Sequence, residues 1–269
     1  MRAILRTGFL VAAILLAQAV PAHAGPYEDS LAAYQQGDYA TALKLWRPLA
    51  EQGSAGAQYS IGFMYANGQG VKQDYGEAVK WYRMAAEQGD PDGQFNLGDM
   101  YDNGWGVKQD HTEAVKWYRT AAEQGLSEAQ YNLGNMYDNG QGVKQNHAEA
   151  MKWWRKAAEQ GDVEAQYNIG LMYADGEGVK QDYGEAVKWY RMAAEQGLAL
   201  AQNNMGFMYA NGRGVPKDFA AAHMWLTIAA AQGEPNAQKT RDIVIKLMTH
   251  GQIEEANLMA REWKAKHPQ

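Results

Sequence analysis

Six histidines, no cysteine and few serines bound the chemistry open to this chain. His111 and His147 share a register position with Tyr75, Tyr183 and Phe219, which asks for a ring at a helix start. His223 falls in the column of Val79, Val115, Met151 and Val187, next to that of Lys80 and Lys116, His250 lies beside Gly251, and His23 and His267 are near the chain ends. No H-E-x-x-H or comparable ligand spacing occurs, so no metal site is expected. Without cysteine there is no thiol nucleophile, thiolate metal site, disulfide or lipid-anchored N-terminal Cys. After residue 24 the serines are Ser30, Ser54, Ser60 and Ser127, and none sits in a G-x-S-x-G turn.

Other patterns have structural readings. The Gly-x-Gly segments lack a third glycine and a following Lys-Ser or Lys-Thr, and they follow helical rather than strand patterns. They read as turns. Asp99 and Asp102 do not belong to a twelve-residue calcium loop. Met64, Met100, Met136, Met172 and Met208 lie on a core stripe, where methionine fills space rather than binding a soft metal. No cofactor is expected, and the chain does not read as an enzyme.

What positions these residues is a repeat. Gly53, Gly89, Gly125, Gly161, Gly197 and Gly233 fall 36 residues apart, bounding five full units over residues 54–233. Further columns keep the register: Gln58 to Gln238, Tyr65 to Tyr209, and Trp81, Trp117, Trp153, Trp189 and Trp225. Residues 68–89 and 176–197 differ only at Gln69 and Glu177, as duplication of a three-unit block would leave them.

Each unit reads as two helices. Ala57, Ile61, Met64 and Tyr65 form one helical stripe, which Asn67-Gly68-Gln69-Gly70 ends. Asp74 with Glu77 resembles a capping box and starts a second helix carrying Ala78, Trp81, Tyr82 and Ala85. The column Gly62, Gly98, Gly134, Gly170 and Gly206 falls inside first helices, at a cost of about 1 kcal/mol per residue against Ala. A close helix–helix approach against large aromatics would justify it. The Trp column is expected to be buried between helices.

The flanks differ. Arg2 and Arg6, the apolar run from Phe9 to Val20, and Ala22-His23-Ala24 form an export-signal pattern over residues 1–24, too short an apolar run to span a bilayer comfortably. Cleavage there predicts a periplasmic or secreted protein beginning at Gly25, with no membrane span left. Loss of Arg2 and Arg6 takes the net charge from −6 to −8. The 25 basic and 31 acidic residues include no long basic run, so nucleic acid is not an expected partner. Residues 25–53 read as a degenerate N-terminal helix pair and 234–269 as C-terminal capping helices.

The unit A-Q-Y-x-I-G-x-M-Y-x-x-G-x-G-V-x-x-D-x-x-E-A-x-K-W-Y-R-x-A-A-E-Q-G resembles the Sel-one-like repeat (SLR), a relative of the tetratricopeptide repeat. The resemblance implies an all-α, right-handed superhelical solenoid of antiparallel helix pairs, with the first helices lining a concave surface. Some cysteine-rich members are connected with penicillin binding and β-lactam hydrolysis, but this chain has no Cys, S-x-x-K or K-T-G to carry that over. It implies instead a scaffold binding a protein or peptide partner, with cell-wall glycan as the alternative ligand. At about 100° per residue, the positions opposite the core stripe supply a candidate groove: Tyr59, Phe63, Phe95, Asp99, Asp102, Tyr131, Asn135, Asp138, Tyr167 and Leu171. Its acidic middle suits a cationic partner. Trp105 is a further candidate contact, because its column otherwise holds Gln69, Gln141, Glu177 and Arg213.

Overall fold

The computed structural model describes residues 25–267; the export signal expected at residues 1–24 lies outside the described residues. Among these residues the chain forms fourteen α-helices and one short 3-10 turn, with no strand. The leading pair is α1 (Pro26–Gln35) and α2 (Tyr39–Glu51). The full units follow as α3 (Ala55–Asn67) with α4 (Tyr75–Glu87), α5 (Pro91–Asn103) with α6 (His111–Glu123), and α7 (Ser127–Asn139) with α8 (His147–Glu159). Next come α9 (Val163–Asp175) with α10 (Tyr183–Glu195) and α11 (Ala199–Asn211) with α12 (Phe219–Ala231). The array ends in α13 (Pro235–Val244), the turn Ile245–Leu247 and α14 (His250–Lys266). From α1 to α13 each helix packs on its neighbours in sequence, and α14 returns onto α12, so the core is a row of small clusters rather than one centre.

The interior glycines meet an aromatic one residue beyond the Trp column. A Cβ on Gly62 would lie 2.7 Å from Tyr82, on Gly98 2.8 Å from Tyr118, and on Gly134 2.5 Å from Trp154. Gly170 faces Tyr190 in the same way, and Gly206 faces Leu226. Those partner rings are fully or nearly buried, while Trp81, Trp117 and Trp189 are only half-buried and Trp153 and Trp225 are buried. The expectation of a uniformly buried Trp column is therefore corrected: a one-residue step along a helix turns the side chain by about 100°, and the glycine groove takes the next ring.

The loop glycines do a different job. Gly68, Gly104, Gly140, Gly176 and Gly212 end the first helices in the left-handed conformation. The second glycine presses on the preceding unit: a Cβ on Gly142 would sit 2.2 Å from the His111 carbonyl oxygen. The turn is thus also an inter-unit contact.

Two polar ladders account for further columns. Gln94 Nε2 donates to the Ala86 carbonyl at 3.2 Å, and Gln124 Nε2 donates to Gln94 Oε1 at 2.7 Å. The same pair of bonds recurs at Gln130 with Gln160 and at Gln202 with Gln232. A buried amide is costly unless bonded, so each glutamine fixes its neighbours' register. Gln238, last of the column, is exposed. The tyrosine column is explained by arginines 18 residues earlier, with Arg83 Nη2 donating to the Tyr101 hydroxyl at 2.6 Å and Arg119 to Tyr137 at 2.7 Å.

The capping-box reading needs correction. Asp74 accepts from the Glu77 amide at 3.0 Å, but the Glu77 carboxylate pairs with Lys80 instead of returning to the cap. Asp182 and Glu185 behave likewise. The cap amides are already taken, Asp74 N donating to the Tyr65 carbonyl at 3.0 Å and Asp182 N to that of Tyr173 at 2.8 Å, so the glutamates are left to the lysines three residues on. The complete box is at Thr249 and Gln252, opening α14.

Candidate functional site

A groove of about 1050 Å³ crosses the first three full units, lined by α3, α5 and α7 and by the loops after α5, α6, α7 and α8. It brings together Tyr59, Phe63, Phe95, Asp99, Asp102, Tyr131, Asn135 and Trp105. Asp138, Tyr167 and Leu171 are not in that lining. Asp138 Oδ1 lies 2.8 Å from His147 Nδ1, Tyr167 packs against Tyr190 with ring centroids 5.8 Å apart, and Leu171 packs on the C-terminal core cluster.

Asp99 does not stand free in water. The Tyr118 hydroxyl donates to its Oδ1 at 2.6 Å, and Asn132 Nδ2 approaches the same oxygen at 3.5 Å. Burial pushes the Asp99 carboxyl up to about 7; the Tyr118 bond opposes this shift and the nearby Asp102 charge adds to it. Asp102 Oδ1 lies 2.7 Å from His111 Nδ1. Asn135 occupies the Asp99 position one unit on, where its Oδ1 accepts from Trp154 Nε1 at 3.1 Å.

The groove's aromatics rest on other rings. Tyr59 and Tyr82 have centroids 5.9 Å apart, and Phe95 and Tyr118 5.8 Å, both tilted. Trp105 stacks on Tyr75 of the preceding unit at 5.7 Å and 15°, and its remaining surface lines the groove. Burial, with the charges of Asp92 and Asp90 adding to it, holds the Tyr59 hydroxyl far above its ordinary range, so it stays neutral.

Sequence reasoning missed the Asp–His pairs and a run of amides. Asn96, Asn132, Asn168 and Asn204 form a column inside first helices, where asparagine is a poor helix former, and Asn96 and Asn132 line the groove. That misfit with propensity was the available signal. Glu128, Gln160 and Asp162 enter from loops and helix starts that a single-helix wheel does not reach. Five carboxylates line the groove, at Asp92, Asp99, Asp102, Glu128 and Asp162, and no Lys, Arg or His does.

Helix pairs stacked in register, bound by amide and arginine–tyrosine ladders and leaving a side-chain-lined groove, define a helical-repeat solenoid of the scaffold type. The chain belongs to the Sel1 repeat family: the Sel1 repeat model matches residues 25–54, 55–90, 91–126, 127–162, 163–198 and 199–234. Such repeats generally serve as protein–protein interaction scaffolds. The chain is similar to c5321, a protective antigen of uropathogenic Escherichia coli with an SLR fold, at 39% identity and TM-score 0.81. That match covers 90% of this chain and 52% of the other, so the chain spans about half the length of the E. coli protein. A Sel1 repeat protein from Oxalobacter formigenes is 36% identical over 91% of this chain and 98% of its own, with TM-score 0.76. The immunity protein PA5088 from Pseudomonas aeruginosa shares the fold at 20% identity and TM-score 0.51, over 81% of this chain and 85% of its own. No curated protein sequence is significantly similar to the chain.

Proposed function

We propose that this chain is an exported, non-enzymatic adaptor that holds a segment of a protein partner in the groove over α3, α5 and α7. The observation that carries the reading is the groove's lining: amides and carboxylates able to bond a peptide backbone, apolar rings between them, and no basic side chain. That lining suits a basic or neutral segment and repels an acidic one. Cell-wall glycan is the weaker ligand, because sugar stacking needs open ring faces and Tyr59 and Phe95 rest on Tyr82 and Tyr118. Catalysis has no nucleophile in the groove: among the described residues neither His111 nor His147 hydrogen-bonds a serine or threonine, and the His223–Thr227 contact at 3.3 Å joins a buried histidine to its own helix α12, outside the groove lining.

The test is cross-linking of the protein, beginning at Gly25, in its own envelope extract, with the linked peptides mapped. A triple variant, Asp92→Lys with Glu128→Lys and Gln141→Arg, inverts two charges and adds a third positive one at exposed lining residues without touching the core. Links should map to the groove and be lost in the variant. Links that persist undiminished would move the binding site elsewhere. Export is tested by intact mass, which should correspond to a chain lacking residues 1–24.

A further inference from the structure

The repeat supplies its own control experiment. A residue the fold needs recurs down its column; one that appears in a single unit was not demanded by the fold. Two such departures fall together in the second full unit. The column of Phe63, Asn135, Leu171 and Phe207 holds Asp99, and that of Gln69, Gln141, Glu177 and Arg213 holds Trp105. Between them stands Asp102, whose column has Asp138 one unit on and Ala66, Ala174 and Ala210 elsewhere. Spaced three apart at the end of α5 and its loop, all three line the groove.

Packing demands neither departure, whereas Asp102 closes its own turn on His111. Asp99 bonds Tyr118, yet Tyr82 stands in the same place with Phe63 in that column, and Tyr190 with Leu171. The acid is therefore not required to accommodate the buried phenol. Its burial is unfavourable, and it carries no counter-charge: the nearest columns of guanidinium are committed elsewhere, Arg83 to Tyr101 and Arg119 to Tyr137. Asp99 spends only Oδ1 on Tyr118 and Asn132, and Asp102 only Oδ1 on His111. Among the described residues the Oδ2 atom of each has no hydrogen-bond partner. Trp105 has one face on Tyr75 and is half-exposed toward the same space.

We propose that the groove contains an arginine subsite, in which a guanidinium from the partner segment sits between the Asp99 and Asp102 carboxylates and against the Trp105 ring. It rests on the groove reading above and names its occupant. A planar fork of donors matches two carboxylates, and its weakly hydrated face stacks on indole; an ammonium offers neither. Phe63 and Ala66, from α3, give the apolar wall along which the side chain's methylenes lie. The cation would also draw a proton from Asp99, whose carboxyl lies near 7 when the site holds no guanidinium.

The experiment uses the chain from Gly25 and three capped peptides identical except for a central Arg, Lys or citrulline. Binding is followed by calorimetry and by the Trp105 indole N–H resonance, assigned with Trp105→Phe. The arginine peptide should shift that resonance and bind at least about tenfold tighter than the citrulline peptide, and tighter than the lysine peptide. Asp99→Asn with Asp102→Asn should remove the preference. Asparagine is native at the equivalent position 135, so the first of these changes keeps the Tyr118 acceptor. Glu77→Gln, on a lysine-paired acid, should leave it intact. Calorimetry in buffers of different ionisation enthalpy should show proton release at pH 7. Equal binding of arginine and citrulline peptides, or full arginine preference in the double variant, would overturn the subsite. If envelope cross-links vanish in the triple variant but persist at full strength in Asp99→Asn/Asp102→Asn, the groove reading stands and the arginine subsite falls.

Discussion

His111 Nδ1 lies 2.7 Å from Asp102 Oδ1, across the turn that joins α5 to α6. One unit on, His147 and Asp138 repeat the contact at 2.8 Å. The remaining units put Ala66 before Tyr75, Ala174 before Tyr183 and Ala210 before Phe219, so the two positions change together as Asp–His or as Ala–aromatic. Each combination closes the same turn, by a polar contact or by an apolar one. Asp102→Ala and His111→Tyr should each cost about 0.5–1 kcal/mol, since the pair is roughly one-third exposed. The double variant should recover most of that loss. A double-mutant cycle by urea unfolding measures it, and additive losses would mean the two positions are independent.

The glycine column makes a sharper claim. Gly134→Ala places a methyl 2.5 Å from the Trp154 indole, inside van der Waals contact. Helix propensity favours Ala by about 1 kcal/mol, yet overpacking a buried ring costs more, so a net loss of about 1–3 kcal/mol is expected. Gly161→Ala has nothing within 4 Å but sits at φ +95°, so its loss comes from the backbone alone. Combining Gly134→Ala with Trp154→Leu should recover stability, as Leu226 shows a leucine to be accommodated at that register. Gly161→Ala should not respond to that second change. Thermal melts of the four proteins decide it.

Why the solenoid could be read from sequence while much of the groove could not follows from the same repetition. Columns such as Gly98, Gln94 and Tyr101 are demanded by every unit, so the period, the helix pair and its turns are visible in one dimension. The groove is made where units differ, and its walls come from three first helices and four loops at once. A wheel drawn on α5 puts Asp99 opposite the core stripe, but it knows nothing of Tyr118, 19 residues later, reaching across to bond it. Nor does it show that Asp138 is held by His147 outside the groove lining. Partial burial at a helix–helix rim depends on the neighbour, and single-helix periodicity has no term for that.

Asp99 should therefore leave a signature in the pH dependence of stability. Its carboxyl is raised from an ordinary 3.8 to about 7 in the folded chain, so between those values the native state holds a proton that the unfolded chain has released. Stability contributed by this group is present at low pH and falls as pH rises through that window. The groups facing it are Tyr118 from α6, Tyr82 from α4, Asp102 on its own helix with His111 behind it, and the neutral Asn132 from α7. Asp99→Asn keeps an acceptor for Tyr118 and removes the titration. Its stability relative to wild type should rise by about 1–3 kcal/mol between pH 4.5 and pH 8. Asp90 and Asp92, also raised by burial, act equally in both proteins and cancel in the difference. A difference that stays constant with pH would show that Asp99 titrates normally.

The C-terminal helix closes the array through Trp263, whose ring meets Trp225 edge-on with centroids 5.8 Å apart. Trp225 is 4% exposed, and Met224 and Ile228 of the same helix are also buried, in a cluster that α14 covers with Ala260, Met259 and Trp263. Inside the array the next repeat would cover this face; here α14 does so, and it carries its own complete capping box to start without one. Removing residues 250–269 should uncover Trp225 and its neighbours beside the already exposed Ile243 and Leu247, giving a continuous apolar end. The truncated chain should keep its helicity over α3 to α10, because each unit is held by its neighbours rather than by the end. It should nevertheless self-associate, with sedimentation showing species larger than the full chain at equal concentration. Trp263→Ala is the milder version: about 1–3 kcal/mol lost, concentrated in the last units and seen as faster amide exchange in α12 than in α6. A truncated chain that sediments and melts like the intact one would mean that α14 is an appendage and that α12 ends the fold without help.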